Sequence, residues 1–242
     1  MNREFEIQCD GPLRLDLTAW ALRRRPHNEI DRFDGESFRR VLVLSGGAVD
    51  VSVRQIGTSD DPRLRVEVTT ERNELDDDQL TECAGILEVT LGLRADLSGF
   101  YRLAANDANL ATLATRFRGV RPPRFPSVFE AVVNAAACQQ LSLTVGIHLL
   151  NRLAARFGAT ATALGDAPHA FPTPNQLADA DPWALRDMGF SMAKARTIIE
   201  LAAKVATNEL DVEALTQATD EGATATLLSL HGIGRWSAES TL

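Results

Sequence analysis

The sequence predicts an α+β protein, with a small antiparallel sheet followed by an all-α domain. Two β-branched runs, 41–44 and 49–53, flank Ser45-Gly46-Gly47, which is the pattern of a β-hairpin. Near Asp76 the hydrophobic period changes from two to nearly four. Beyond Pro122-Pro123 a series of side-chain caps opens one short helix after another. These observations divide the chain into an α+β N-terminal domain and a helical domain after it.

Taken in order, Phe5, Ile7 and Cys9 alternate with polar residues and predict a first strand. Leu17 to Arg25 reads as a helix stopped by Pro26. The hairpin around Gly46-Gly47 follows, and Leu64, Val66 and Val68 alternate again as a further strand. Leu80, Cys83, Ala84, Leu87 and Leu91 share one helical face. Residues 96–118 continue in helical spacing, with Phe100, Leu103, Leu110, Leu113 and Phe117 as the apolar positions. Gly119 and Pro122-Pro123 then break the pattern, and this Arg- and Pro-rich stretch is the best boundary or crossover in the chain. Ser127-Val128-Phe129-Glu130 and Thr173-Pro174-Asn175-Gln176 are capping-box patterns, while Ser142, Asp181 and Ser191 can cap three more helices. Asp211 and Glu221 begin two last short segments before the end of the chain.

Composition narrows the function classes. At 242 residues the chain is long enough for one large or two ordinary cores. No apolar run approaches the length of a membrane span and no signal-peptide core opens the sequence, so the expected location is the cytoplasm, with no membrane partner. Cys9, Cys83 and Cys138 are far apart, which argues against a disulfide framework, a zinc site or an iron–sulfur cluster. No metal and no cofactor is expected. The net charge of −8 opposes binding to phosphate-rich partners. Its distribution softens that, because Arg116, Arg118, Arg121 and Arg124 lie within nine acid-free residues and Arg23 to Arg25 form a second cluster.

The most informative stretch is Leu230-His231-Gly232-Ile233-Gly234-Arg235-Trp236. Two glycines two residues apart, after an apolar run and before an amphipathic one, predict a tight turn feeding a helix. Amides of the turn and of the next helix's first turn would then face one way, a concave donor set suited to an anion such as a nucleic-acid phosphate. Leu230 and Ile233 would anchor the turn in the core. The same residues also read as an ordinary glycine turn between two helices.

Several stretches together resemble the helix-hairpin-helix DNA base-excision glycosylases, most closely the bacterial 3-methyladenine type. They are Phe125-Pro126-Ser127-Val128-Phe129-Glu130, Cys138-Gln139-Gln140-Leu141-Ser142, Phe171-Pro172-Thr173-Pro174, Leu185-Arg186-Asp187-Met188-Gly189, Lys194-Ala195, and the 230–238 hairpin. The resemblance covers about residues 95–242 and so implies a helical domain, 95–242, after an α+β N-terminal domain, 1–94. It implies a protein that flips a damaged nucleotide out of duplex DNA and releases its base, acting as a monomer. It implies DNA contacts from Leu230, Gly232, Ile233, Gly234 and Arg235. Gln140 and Leu141 become a wedge filling the gap left by the flipped base, although Gln140 by itself reads first as a solvated turn residue between two helices.

Trp236 becomes a base-pocket wall able to stack on a cationic alkylated base, with Trp20 and Tyr101 as further pocket candidates. Bifunctional relatives carry a lysine at the place of Trp236, so the resemblance implies a monofunctional enzyme that uses water. It gives catalysis to an aspartate shortly after the hairpin's second helix. No residue of this chain matches that aspartate, which is expected beyond Leu242, and the helical domain therefore reads as incomplete at its C-terminus. That leaves a non-catalytic DNA-binding protein as the alternative. Ser240 stands where many relatives have a pocket aromatic.

Overall fold

Strands form where β-branched residues alternate with polar ones, because that spacing gives a pleated strand one apolar face. The computed structural model describes residues 2–71, 75–161 and 168–241. Among them are β1 (Asn2–Gln8), β2 (Arg32–Phe33), β3 (Ser37–Leu44), β4 (Gly47–Gln55) and β5 (Arg63–Thr69), joined as one antiparallel sheet in the order β1-β5-β4-β3-β2. The hairpin register pairs Leu44 with Gly47, leaving Ser45-Gly46 as the two-residue turn. Register also sets the core face: Phe38 lies opposite Val53, Leu42 opposite Val49, and Val53 opposite Val66, all buried. Helices α1 (Leu15–Arg23) and α2 (Asp77–Thr90) pack on β3 and bury Leu15, Ala19, Leu22, Cys83 and Leu87 against that face. One polar pair interrupts it. Arg40, opposite Val51, donates to Asp31 at 2.5 Å with both side chains buried.

By contact the chain divides into two compact units, 1–26 with 31–124, and 27–30 with 125–242. The division falls at 124/125, at the end of the Arg- and Pro-rich break and thirty residues later than the 94/95 boundary that the resemblance implied. The buried Arg121 supplies the reason. Its guanidinium donates to the carbonyls of Pro12 (3.0 Å), Ala95 (2.6 Å) and Asp10, and its amide donates to Thr18 Oγ (3.0 Å). That single side chain fastens the Arg- and Pro-rich stretch to the sheet unit. It also removes Arg121 from any basic face. Arg118 pairs with Asp60, and Arg116 lies 5.4 Å over the Phe117 ring. The cluster of four arginines is thus largely used inside its own unit.

The predicted helix over 96–118 is two helices, α3 (Ser98–Ala104) and α4 (Ala108–Arg116), with Asp107 capping the second. Their apolar positions do not enter a core. Phe100, Leu103, Leu110, Leu113 and Phe117 are all exposed, and α4 buries no residue.

The second unit is helical: α5 (Val128–Cys138), α6 (Leu143–Phe157), α7 (Pro174–Leu177), α8 (Pro182–Asp187), α9 (Met192–Ala206), a 3₁₀ turn (Glu213–Gln217), α10 (Asp220–Leu228) and α11 (Arg235–Thr241). The caps lie where short polar residues precede apolar periodicity. Ser127, Ser142 and Ser191 accept the amides of Glu130, Val145 and Lys194, Asp181 accepts that of Trp183, and the Thr173 amide donates to Gln176. Two details depart from expectation. Glu130 is buried and Ser127 shares the α5 N-terminus with Glu213, which accepts the Val128 amide, and α10 is capped by Thr219, ahead of Glu221. Val132, Val133, Ile147, Leu150, Leu153, Ile198 and Leu227 fill the core of this unit. No helix among the described residues is long and apolar enough to cross a membrane.

Candidate functional site

The glycine turn between α10 and α11 is built by its apolar residues. Ile233 is buried and Leu230 packs on the same core, while the Ile233 amide closes the turn onto Leu230 O at 3.1 Å. The two glycines do different things. Gly232 has φ +81°, and a Cβ there would lie 2.1 Å from Oγ1 of Thr197, a buried residue of α9. Only glycine meets both conditions. Gly234 has an ordinary φ and open space where a Cβ would stand. The α11 ladder begins with Ala238 N–H to Gly234 O (3.0 Å), so the amides of residues 235–237 precede it. Arg235 is exposed and pairs with Glu239 one turn on at 2.8 Å.

The turn between α5 and α6 carries Gln140 and Leu141, both exposed. Gln140 has φ +53°, a left-handed conformation uncommon for a residue with a side chain. The turn is closed by Leu141 N–H to Cys138 O at 3.2 Å. Two side chains that sequence reasoning left without a role hold it. Gln139 donates through Nε2 to Gly232 O (3.1 Å) and to Ser237 Oγ (2.6 Å), tying the turn to the hairpin and to α11. Lys194 of α9 donates through Nζ to Ala137 O (3.0 Å) and Gln139 O (2.6 Å), at the C-terminal end of α5. Desolvation lowers the Lys194 pKa from its ordinary value, while the cation suits the negative end of a helix dipole. The polar doublet Gln139-Gln140 and the lysine three residues into a capped helix were the available signals. Nothing in sequence spacing said that they meet.

Trp236, in the first turn of α11, is 57% exposed. It does not line the 310 Å³ cleft beside the hairpin, which is bounded by Thr197, Glu200, Lys204, Ser229, His231 and Ile233. The other two pocket candidates belong to the sheet unit. Trp20 is 64% exposed on α1, and the Tyr101 hydroxyl accepts the Gly119 amide at 3.1 Å. Hairpin and turn are therefore brought together within one unit, with Trp236 beside them. Asp220 opens α10, and Leu242, past which a catalytic aspartate was expected, lies outside the described residues. Among the described residues no cluster of three or more His, Cys, Asp or Glu is arranged to hold a metal.

Comparison with known proteins agrees with this geometry. Residues 133–240, spanning the turn and the hairpin, match the family described as HhH-GPD superfamily base excision DNA repair protein. The chain is 26% identical over 191 residues to the DNA-3-methyladenine glycosylase of Bacillus subtilis, covering 79% of this chain and 63% of that protein. It is 33% identical over 162 residues to DNA-3-methyladenine glycosylase 2 of Escherichia coli, covering 64% and 55%. It thus spans less than two thirds of the length of either relative. Among solved structures, the 3-methyladenine DNA-glycosylase from Archaeoglobus fulgidus superposes with a TM-score of 0.81 at 29% identity, over 98% of this chain and 78% of that one. The helical unit carries an HhH-GPD domain.

Proposed function

We propose that the chain supplies the DNA grip and base-flipping scaffold of a base excision repair enzyme, a monofunctional glycosylase of the 3-methyladenine type that releases alkylated purines with water. The observation that carries this reading is the Gln139 bridge. It holds a glycine hairpin, whose second glycine the fold does not require, in register with an exposed turn bearing a left-handed Gln140. In this reading the amides around Gly232 and Gly234, with Arg235, grip a backbone phosphate. Leu230 and Ile233 fix that turn in the core. Gln140 and Leu141 enter the base stack when a nucleotide leaves it. Trp236 offers an indole face to a cationic base, an interaction of about 0.5–2 kcal/mol. A tryptophan there, in place of a lysine, supplies no amine to attack the sugar. The names of the relatives above support the choice of alkylated purine as substrate class.

The test uses three fluorescent duplexes, one intact, one with an abasic analogue and one methylated. The chain should bind the abasic duplex more tightly than the intact one and lose affinity steeply as salt rises. Free 3-methyladenine appearing from the methylated duplex reads the activity. A protein that showed no preference for the abasic duplex and released no base would overturn the proposal.

A further inference from the structure

We propose that Lys194 and Gln139 are positioning residues that hold the Gln140-Leu141 turn in its stack-entering conformation and in fixed register with the hairpin. The inference rests on reading that turn as the wedge. Gln140 keeps a left-handed backbone in an exposed two-helix turn, where an L-residue would otherwise relax. Such a conformation persists only where its surroundings over-determine it, and here the surroundings can be named. The Lys194 ammonium spans the carbonyls of Ala137 and Gln139, immediately before Gln140, and fixes the direction from which the chain enters the turn. The Gln139 amide then joins that same residue to Gly232 O and Ser237 Oγ.

The turn is therefore held from two sides. On one side is α9, and on the other is the hairpin that would grip the phosphate. Gly232 itself leans on Thr197, one turn along α9 from Lys194, so α9 backs both. Among the described residues no carboxylate pairs with Lys194, and its hydrogen-bond partners are carbonyl oxygens. These carbonyls close the C-terminal end of α5, whose dipole favours the cation. Its position makes sense as a clamp on the turn.

The experiment measures affinity for abasic and intact duplexes together with the fluorescence of a 2-aminopurine opposite the abasic site, which reports entry of a side chain into the stack. Lys194→Met keeps the aliphatic stem and removes the donors. It should cut the abasic-over-intact preference about tenfold, the size of one or two hydrogen bonds, and abolish the fluorescence change. Affinity for intact duplex should stay within about twofold, less than the worth of one hydrogen bond. Lys194→Arg, which can still donate to both carbonyls, should restore preference and signal. If Lys194→Met lowers the unfolding temperature, Gln139→Met decides, since it removes the hairpin side of the clamp and should give the same loss. Preference and signal kept in both variants while Gln140→Ala loses them would overturn the positioning role and leave the wedge standing. If Gln140→Ala also keeps them, the wedge reading falls and the positioning role with it.

Discussion

Each unit of the molecule has one glycine turn at its most informative point, and the two are built differently. In the sheet unit, Gly46-Gly47 closes β3 onto β4. A Cβ on Gly46 would meet Gln79 Nε2 at 1.7 Å, and Gly47 takes φ +123°. Both glycines are accounted for by the fold, one by packing and one by backbone. In the helical unit Gly232 carries both demands alone, and Gly234 carries neither. A glycine that local structure does not require asks for another explanation, and the close approach of a ligand backbone is the one its surroundings support. The β-turn is a solution to folding, whereas the hairpin leaves one position over.

The largest effect should follow from Gly232→Ala. The left-handed backbone and overlap with the β-branched, buried Thr197 together should lower stability by about 2–4 kcal/mol, read by urea unfolding. Gly46→Ala meets only the end of a glutamine side chain. Gln79 can swing aside by giving up its half of the α2 capping box, in which its Oε1 accepts the Asp76 amide at 3.1 Å. The cost should be about 1 kcal/mol. Equal losses at the two sites would break the contrast between a stiff and a yielding neighbour. Next comes Gly234→Asp, which should leave unfolding unchanged and weaken duplex binding about tenfold, through one carboxylate set against a phosphate. A stability loss as large as that of Gly232→Ala would show that Gly234 is structural after all. Gln140→Gly should sharpen the same point with a smaller and opposite sign. Relief of the left-handed backbone should stabilise the fold by about 0.5–1 kcal/mol, while the abasic preference is lost with the side chain.

What the sequence made legible follows the same division. Alternation, the Gly-Gly hairpin and the serine caps are local signals, since each depends on residues within a few positions, and the sheet and the starts of α5, α6 and α9 follow from them. The hairpin was legible for the same reason. The Gly119 and Pro122-Pro123 break did mark the unit boundary, but which unit keeps residues 95–124 was not legible, because it depends on where Arg121 sends its guanidinium, to carbonyls at Asp10, Pro12 and Ala95 that spacing cannot connect to it. Nor could periodicity foresee that the apolar face of α3 and α4 would stand exposed, since a helical stripe says which residues share a side and not what covers it. At the candidate site, Gln140 was found through resemblance. Its holders, Gln139 and Lys194, needed the fold, because 55 residues separate the lysine from the carbonyl it grips.

The two ends of α5 carry the comparison to its finest scale, because charge stands there in place of glycine. Lys194 sits at the C-terminal end. At the N-terminal end Glu213, on the 3₁₀ turn, accepts the Val128 amide at 2.9 Å. Each charge suits its end of the helix dipole, and each is penalised by desolvation, which pushes the Glu213 carboxyl above its ordinary pKa despite the amides of Val128 and Phe129. A folded-state pKa above the unfolded one means that the native protein binds the proton more readily between the two values. The contribution of Glu213 is therefore fully favourable below the ordinary carboxylate range and declines as pH rises through the folded pKa. Glu213→Gln keeps an oxygen for the Val128 amide and removes the charge. At pH 7 it should be more stable than the parent by about a few tenths of a kcal/mol, the shift being discounted for the exposure of the side chain, and at pH 4 the difference should vanish. Urea unfolding at both pH values reads it. A loss at pH 7 would mean that the carboxylate's attraction to the α5 N-terminus outweighs its desolvation, and that charge serves this end of the helix as firmly as the lysine serves the other.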